Sequence, residues 1–294
     1  AESDQALKLA PTGHRKTFPD DHMTSTDLNT YVTFGYLAVG VGFLVVYMMG
    51  SFAAKMRMVA LGLFIFVFAL HTASIGLRWI ESYQVGVGHA PLSNLYESLV
   101  FFAWAIALAL ILARVKFKTD IIVLLGMPVV FLTMAYTFFQ DPSIKPLIPA
   151  LQSNWLVAHV ITCFLGYAGF TVSFVAALLL LLTRGSKAFG RHLTETDILD
   201  EIVYRSVLIG FPMLTVGIIT GAAWADYAWG SYWSWDPKET WSLITWLVYS
   251  AFLHARLARG WQGGRTAVLS VVGFAAVMFT YFGVNYLPGL HSYF

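Results

Sequence analysis

The chain has 294 residues, 58% of them hydrophobic and only 12% charged, with a mean hydropathy of +0.68. A soluble domain carries about twice that charge fraction, so the composition excludes a water-soluble enzyme and points to an integral membrane protein. A net charge of +2 offers nothing to nucleic acid, and a single cysteine, Cys163, excludes an intramolecular disulfide, a CxxC redox pair and a thiolate metal cage.

The apolar runs are too long for barrel strands, and a chain crossing lipid must satisfy its backbone internally, so the spans are helices. Residues 1–29 are polar, carry Pro11, Gly13 and Pro19, and read as a flexible tail. They show no signal-peptide core, so insertion is expected to start at the first span. Residues 30–294 read as the polytopic membrane domain, with eight spans expected at Thr30–Gly50, Met58–Trp79, Ser98–Ala113, Ile121–Phe139, Trp155–Thr183, Ser206–Trp224, Thr240–Ala255 and Thr266–Leu287. The third and seventh have 16 residues and must borrow flanking ones; the fifth has 29 and must tilt or project. Pro128 and Pro212 fall inside spans, where they are expected to kink the helix. Before the sixth span, Thr194 with Asp197 three residues on, then Ile198, Leu199, Ile202 and Val203, predicts a short amphipathic connector helix on the cytoplasmic interface.

Lysine and arginine set the orientation. With the loops after spans one, three, five and seven in the cytoplasm, that side holds twelve of the eighteen basic residues, among them Lys55, Arg57, Arg114, Arg184, Arg205, Arg256 and Arg265. The other side keeps eleven of the sixteen acids. Both termini and the segment between the sixth and seventh spans then face outward.

That segment, Trp224–Trp246 (WADYAWGSYWSWDPKETWSLITW), holds six of the ten tryptophans in 23 residues. Tryptophan suits membrane–water interfaces, with its ring apolar and its N–H wet, but a belt needs only one or two per helix end. Six, interleaved with Asp226, Gly230, Asp236, Pro237, Lys238 and Glu239, read as a flat aromatic platform for a large planar ligand.

The histidines sort by depth. His14, His22 and His192 fall in the tail or a loop and read as solvated. His159 lies near the outer end of the fifth span, and His291 follows the eighth on the same side. At ~1.5 Å per residue, His254 lies about 20 Å from the outer start of the seventh span and His71 about 12 Å below the outer end of the second. His89 is in the outer loop GVGHAPLSN. An imidazole inside a span is costly enough to suggest function, although one bonded to a neighbouring carbonyl serves packing equally well. Two at matching depth beside the aromatic segment weigh differently. His159 and His291 suit axial ligation of haem iron, with the macrocycle against the tryptophans and Lys238 meeting a propionate. A transporter vestibule or a plain interfacial loop fits the same residues.

The run WGSYWSWDPKETWSLITWLVYSAFLHAR resembles the tryptophan-rich WWD signature of the CcsA (ResC) family, the haem-handling half of the System II cytochrome c maturation machinery of many bacteria and of plastids. GHAPLSNLYESLVFFAW, PALQSNWLVAHV, GFPMLTVGIITGAAWA and YFGVNYLPGLHSYF are similar to further blocks of that family, so the likeness runs from the second span to the C-terminus. The related CcmC and CcmF proteins share the WWD core but differ after its Asp, where this chain has PKETW. The resemblance implies that His159 and His291 ligate haem b (iron-protoporphyrin IX) presented outside. It implies that Trp229, Trp233, Trp235, Asp236 and Trp241 cradle that haem, and that His254 holds haem at a deeper, inner site. It also implies two partners: a CcsB (ResB) membrane protein supplying the second inner ligand, unless His71 does, and an apocytochrome c whose CxxCH segment receives the haem.

The implied activity is that of a cytochrome c haem lyase, joining the two vinyl groups to the CxxCH thiols. The implied location is a bacterial inner membrane or, alternatively, a thylakoid membrane. With one cysteine this chain is not the cytochrome itself, and no nucleophile–His–carboxylate arrangement is visible, so no catalytic side chain is assigned. Its work would be positional: holding haem with the vinyl edge exposed and both thiols within reach. Other classes stay open. A haem exporter without synthase activity would show broken helices and a midplane site. A membrane cytochrome b would pair histidines on facing helices at two depths, and a structural subunit would use the tryptophans only as an anchor.

Overall fold

The computed structural model describes residues 23–185 and 196–289. The tail before Met23, His192, Thr194 and His291 lie outside the described residues. Among the described residues there is no strand, and eight long helices follow the eight spans in order. They are α1 Ser25–Met49, α2 Ala54–Gln84, α3 Leu95–Phe117, α4 Ile121–Tyr136, α5 Asn154–Gly185, α6 Thr196–Trp229, α7 Pro237–Arg259 and α8 Gly264–Tyr281. All but α7 are long and apolar enough to cross a membrane, α4 together with the short helical turn Thr137–Phe139 that continues it, so the chain is a multi-pass, all-α membrane protein. In α7 the apolar run is broken by Thr240, Ser242, Thr245, Ser250, His254 and Arg256.

Local chemistry moves two boundaries. α1 starts five residues ahead of the expected span because Thr24 and Asp27 form a reciprocal cap: the Asp27 N–H donates to Thr24 Oγ1, and the Thr24 N–H donates to Asp27 Oδ2 at 3.0 Å. α6 runs unbroken for 34 residues from Thr196, so the described part of the expected interfacial connector is the first turns of α6 instead. The reason is packing: Leu199, Ile202 and Val203 are buried in the bundle core rather than facing a headgroup plane. Pro128 and Pro212 stand inside α4 and α6 and end neither.

The helices pack as two halves, α1–α4 and α5–α8, joined chiefly where α3 meets α5. Lipid tails are as apolar as leucine, so helices associate through close backbone approach and buried polar bonds. The second half uses close approach. A Cβ on Gly166 would stand 3.0 Å from the Gly210 carbonyl, and one on Gly169 would stand 3.0 Å from that of Ser206, so glycine brings α5 against α6. The first half uses polar bonds. Arg78 of α2 pairs with Glu97 of α3 at 3.0 Å, both buried, and also donates to the Pro142 carbonyl at 2.7 Å. Asn29 of α1 donates to Tyr96 at 2.9 Å and accepts from Ser74 at 2.7 Å.

His71 belongs to this polar core. It is 0% exposed, and its Nδ1 lies 2.9 Å from the Tyr36 hydroxyl. At the far end of the second half, Asp200 of α6 accepts from Arg256 and from the Gly263 N–H, each at 2.6 Å, tying the α7–α8 turn to α6.

Candidate functional site

His159 sits in the second turn of α5 and faces α6. Its Nδ1 lies 2.7 Å from the Gly217 carbonyl oxygen. A carbonyl only accepts, so Nδ1 carries the proton and Nε2 keeps the lone pair that a metal ion takes. The ring lies directly over α6: a Cβ on Gly221 would be 2.6 Å from Nδ1 and 2.8 Å from Cε1. One turn along, Cys163 packs against Gly217, where an added Cβ would be 2.5 Å from Sγ. Cys163 is buried beneath the imidazole, with its Sγ 3.6 Å from His159 Nδ1. Gly217 and Gly221 are part of the site although the sequence reading passed over them. Their signal was the small-xxx-small spacing that lets two backbones approach.

The tryptophans do not form the flat platform the sequence suggested. Trp224 lies nearly parallel to His159 (16°, centroids 6.2 Å apart) and donates its indole N–H to the Ala150 carbonyl at 2.7 Å. Trp229 meets Trp224 edge to face, at 5.0 Å and 68°. After Gly230, whose φ is +73°, the chain turns, and Trp233 and Trp235 meet at 5.7 Å and 89°. Trp241 packs on Phe279 of α8 at 4.1 Å, and Trp246 donates to Thr215 of α6 at 3.0 Å. Ring quadrupoles favour edge-to-face contacts, and residues spread over two helix ends and a turn cannot share one plane. The result is a set of walls: Trp224 and Trp229 beside His159, Trp233 and Trp235 as a separate corner, and Trp241 and Trp246 bracing α7.

The start of α7 is built with care. Asp236 is its N-cap and accepts from the Lys238 N–H at 2.9 Å, while Glu239 returns to the Asp236 N–H at 3.3 Å. The buried Asp236 carboxylate, expected to cradle the ligand, also caps the helix start. It also faces the C-terminal segment: a Cβ on Gly289 would collide with Asp236 Oδ2 and stand 3.0 Å from Pro237 Cδ. Gly289 is two residues before His291, so the chain leading to His291 reaches the tryptophan-rich segment. Lys238 is half-buried, with Asp236 and Cys163 as its electrostatic neighbours. Trp235 has φ +60°, a left-handed conformation that costs a residue with a Cβ about 1–2 kcal/mol.

The other histidines lie elsewhere. His254 is exposed on α7, in a stripe with Leu247, Ala251 and Ala258 at spacings of four, three and four. His71 is sealed between α1, α2 and α3, whereas α7 packs on α6 and α8, so this fold does not bring His71 to His254. His89 is buried between two loops, with Nδ1 2.8 Å from its neighbour's carbonyl at Ala90 and Nε2 3.2 Å from that of Lys145. Among the described residues, no three His, Cys, Asp or Glu side chains converge as a metal cluster.

Residues 92–291 match the family model described as cytochrome c assembly protein. Cytochrome c biogenesis protein CcsA of Parasynechococcus marenigrum is 44% identical over 256 residues, covering 76% of this chain and 82% of that protein. The chain belongs to the CcsA family. CcsA of Chlamydomonas reinhardtii is likewise 44% identical, over 227 residues, covering 74% of this chain and 63% of that protein. The fold is also that of the solved cytochrome c haem lyase CcmF. The TM-score is 0.66 at 20% sequence identity, and the match covers 92% of this chain but 48% of the CcmF chain. Membership gives this CcsA-family chain a role in cytochrome c biogenesis, and with it haem handling.

Proposed function

We propose that this chain presents haem b at its outer face for covalent attachment to apocytochrome c, as the haem lyase half of a synthase completed by a CcsB (ResB) partner. The observation that carries this reading is the His159 imidazole, held at Nδ1 by the Gly217 carbonyl with Nε2 as its lone-pair nitrogen, beside Trp224 lying nearly parallel to it and Trp229 edge-on to Trp224. That donor fits haem iron, a common partner of neutral imidazole. His291 would hold the haem iron together with His159 in this reading, and the seat of Gly289 beside Asp236 and Pro237 supports it. Lys238, close to the site and half-buried, takes a propionate.

When bound, the haem supplies the two vinyl groups that become thioether links. This chain's residues hold the macrocycle, exclude water from its faces and leave its vinyl edge to the CxxCH thiols. His254, exposed among an alanine-rich stripe, supports an inner site closed by a histidine of the partner, from which haem moves outward to His159. The exposed position of His254 and the sealed position of His71 give little support to a cytochrome b with two permanent haems inside one chain. Relatives from cyanobacteria and from an alga support a thylakoid membrane as well as a cytoplasmic one.

The test is a set of reduced-minus-oxidised and pyridine-haem spectra of the complex with its partner, together with the yield of covalent cytochrome c. A stable low-spin bis-imidazole signature is expected. Its absence, with haem still crossing the membrane, would make the protein an exporter. His254→Ala should empty the outer site as well as the inner one, and an outer site that stays fully occupied would refute the inward-to-outward route.

A further inference from the structure

We propose that Glu239 is a positioning residue of this site: its carboxylate pins the backbone on both sides of Trp235 and holds that indole turned outward as a preformed wall for the planar ligand. The proposal rests on the haem-presenting reading above. Among the described residues, Trp235 and Lys118 are the two with a side chain and a left-handed φ. Lys118 ends α3, the ordinary place for that conformation. Trp235 stands just before the cap of α7, where a hydrophobic residue ordinarily folds back onto the fourth helical position. That position is Thr240, whose hydroxyl donates to the Trp235 carbonyl at 3.2 Å. The indole turns away instead and is 69% exposed, touching Trp233 by its edge.

Something must hold the unfavourable backbone, and Glu239 is placed to do so. A capping box needs only the bond from Glu239 to the Asp236 N–H, which here is long, at 3.3 Å. The same carboxylate oxygen accepts from the Ser234 N–H at 2.7 Å and from its hydroxyl at 3.2 Å. The carboxylate is therefore drawn past its capping partner towards the residue before Trp235. With the N–H groups of residues 234 and 236 both bonded to one oxygen, the backbone between them has little freedom. An aromatic ring fixed in place while exposed is ordered before its ligand arrives, which spares that ordering on binding. Backbone strain held by its surroundings is a recurrent property of ligand sites.

The experiment uses the complex with its partner and five variants: Glu239→Ala, Glu239→Gln, Trp235→Ala and the two doubles that combine Trp235→Ala with either Glu239 change. Haem dissociation is followed by the low-spin spectrum, and amide exchange across residues 233–252 is followed in the haem-free complex. Glu239→Ala should release haem about tenfold faster, the fold-change equivalent of losing the held conformation. It should also speed exchange at Ser234 and Asp236 while the middle of α7 stays protected. Glu239→Gln should lose less than about threefold, because the amide oxygen still accepts one bond. In a Trp235→Ala background either Glu239 change should alter release by less than about twofold, since the ring it positions is gone. An equal tenfold loss in both backgrounds, unchanged exchange at residues 234 and 236, or loss of the low-spin signature itself would each overturn the proposal. If Glu239→Ala unfolds α7, the cycle with Glu239→Gln decides. If the unaltered complex holds no haem, the functional reading fails, while the exchange measurement still tests the tether.

Discussion

His71 and His159 are both imidazoles set among apolar helices with Nδ1 committed, and what separates them is their surroundings. His71 meets a tyrosine hydroxyl, which donates or accepts, so neither ring nitrogen is forced to carry the proton. It is sealed by α1, α2 and α3 and edge-on to Tyr36 at 5.6 Å. His159 meets a carbonyl, which fixes the tautomer, and its ring lies over two glycines near a helix end where tryptophans line the space. Depth in the membrane alone would rank His71 first as a functional candidate. The neighbours separate them: His71 is sealed in the bundle with Tyr36 on Nδ1 and, among the described residues, no hydrogen-bond partner on Nε2, whereas His159 is held from behind by a carbonyl, the arrangement on which the proposed ligand role rests.

The comparison breaks most directly on the two histidines themselves. His159→Ala should reduce haem retention by about a hundredfold or more, the scale of losing an iron ligand, and added imidazole should restore the low-spin spectrum. His71→Ala should leave that spectrum in place and lower stability by about 1–3 kcal/mol, the cost of leaving the Tyr36 hydroxyl without its partner. If His71→Ala removes haem while His159→Ala keeps it, the distinction drawn between them is wrong.

The next largest effect lies in the first half. Removing one member of a buried ion pair costs about 3–5 kcal/mol, whereas replacing both with apolar residues of similar size costs far less. Arg78→Ala should therefore sharply lower the unfolding midpoint in detergent, and Arg78→Met with Glu97→Leu should recover most of it. Arg78 also holds the Pro142 carbonyl of the α4–α5 segment, whose far end offers the Ala150 carbonyl to Trp224. Haem that survives in the folded fraction of Arg78→Ala should thus be somewhat looser but still low-spin. A spectrum lost before stability is lost would make this pair part of the site.

Gly221→Ala sharpens the claim about the second half. The new methyl would stand 2.6 Å from Nδ1, so either the ring or α6 must shift. Overpacking of this kind costs about 1–3 kcal/mol. Here the expected readout is haem retention lowered about tenfold, with the folded fraction little changed. Gly62→Ala, on α2 with open space around it, is the matched control and should change nothing.

How far the sequence carried these conclusions follows from which interactions are local. Eight helices could be read, seven of them apolar enough to cross a membrane, because hydropathy acts over about 20 neighbouring residues. The expected start of α7 falls three residues late, at Thr240, because Asp236, Pro237 and Glu239 read as part of the aromatic platform rather than as a cap. The first turns of α6 were misread as an interfacial helix because the burial of Leu199, Ile202 and Val203 is a tertiary fact, and amphipathy does not say which surface covers the apolar face. His159 stood out by depth and by its distance from the tryptophans along the chain. Its carbonyl partner is 58 residues away on another helix, and no local pattern encodes that pairing. The flat platform failed for a similar reason: six tryptophans can be counted in a sequence, but their interplanar angles cannot.

The smallest expected effect concerns Lys238, and it bears on which way the ligand points. Its ammonium has Asp236 and Cys163 as electrostatic neighbours, and Cys163 is one helical turn below His159. In the proposed reading this cation meets a propionate, and the edge of the macrocycle that it holds would be turned away from the approaching thiols. A partly buried charge-assisted bond of this kind is worth about 0.5–1.5 kcal/mol once solvent screening is allowed for. Lys238→Gln should therefore weaken haem retention about two- to tenfold, and Lys238→Arg should weaken it less. The decisive comparison is the haem dimethyl ester, which has no free carboxylates. If the unaltered protein and Lys238→Gln hold the ester equally, the lysine reads the propionate. If they differ by the same factor as for free haem, Lys238 acts only on the protein, and the orientation of the macrocycle must be set by the tryptophan walls alone.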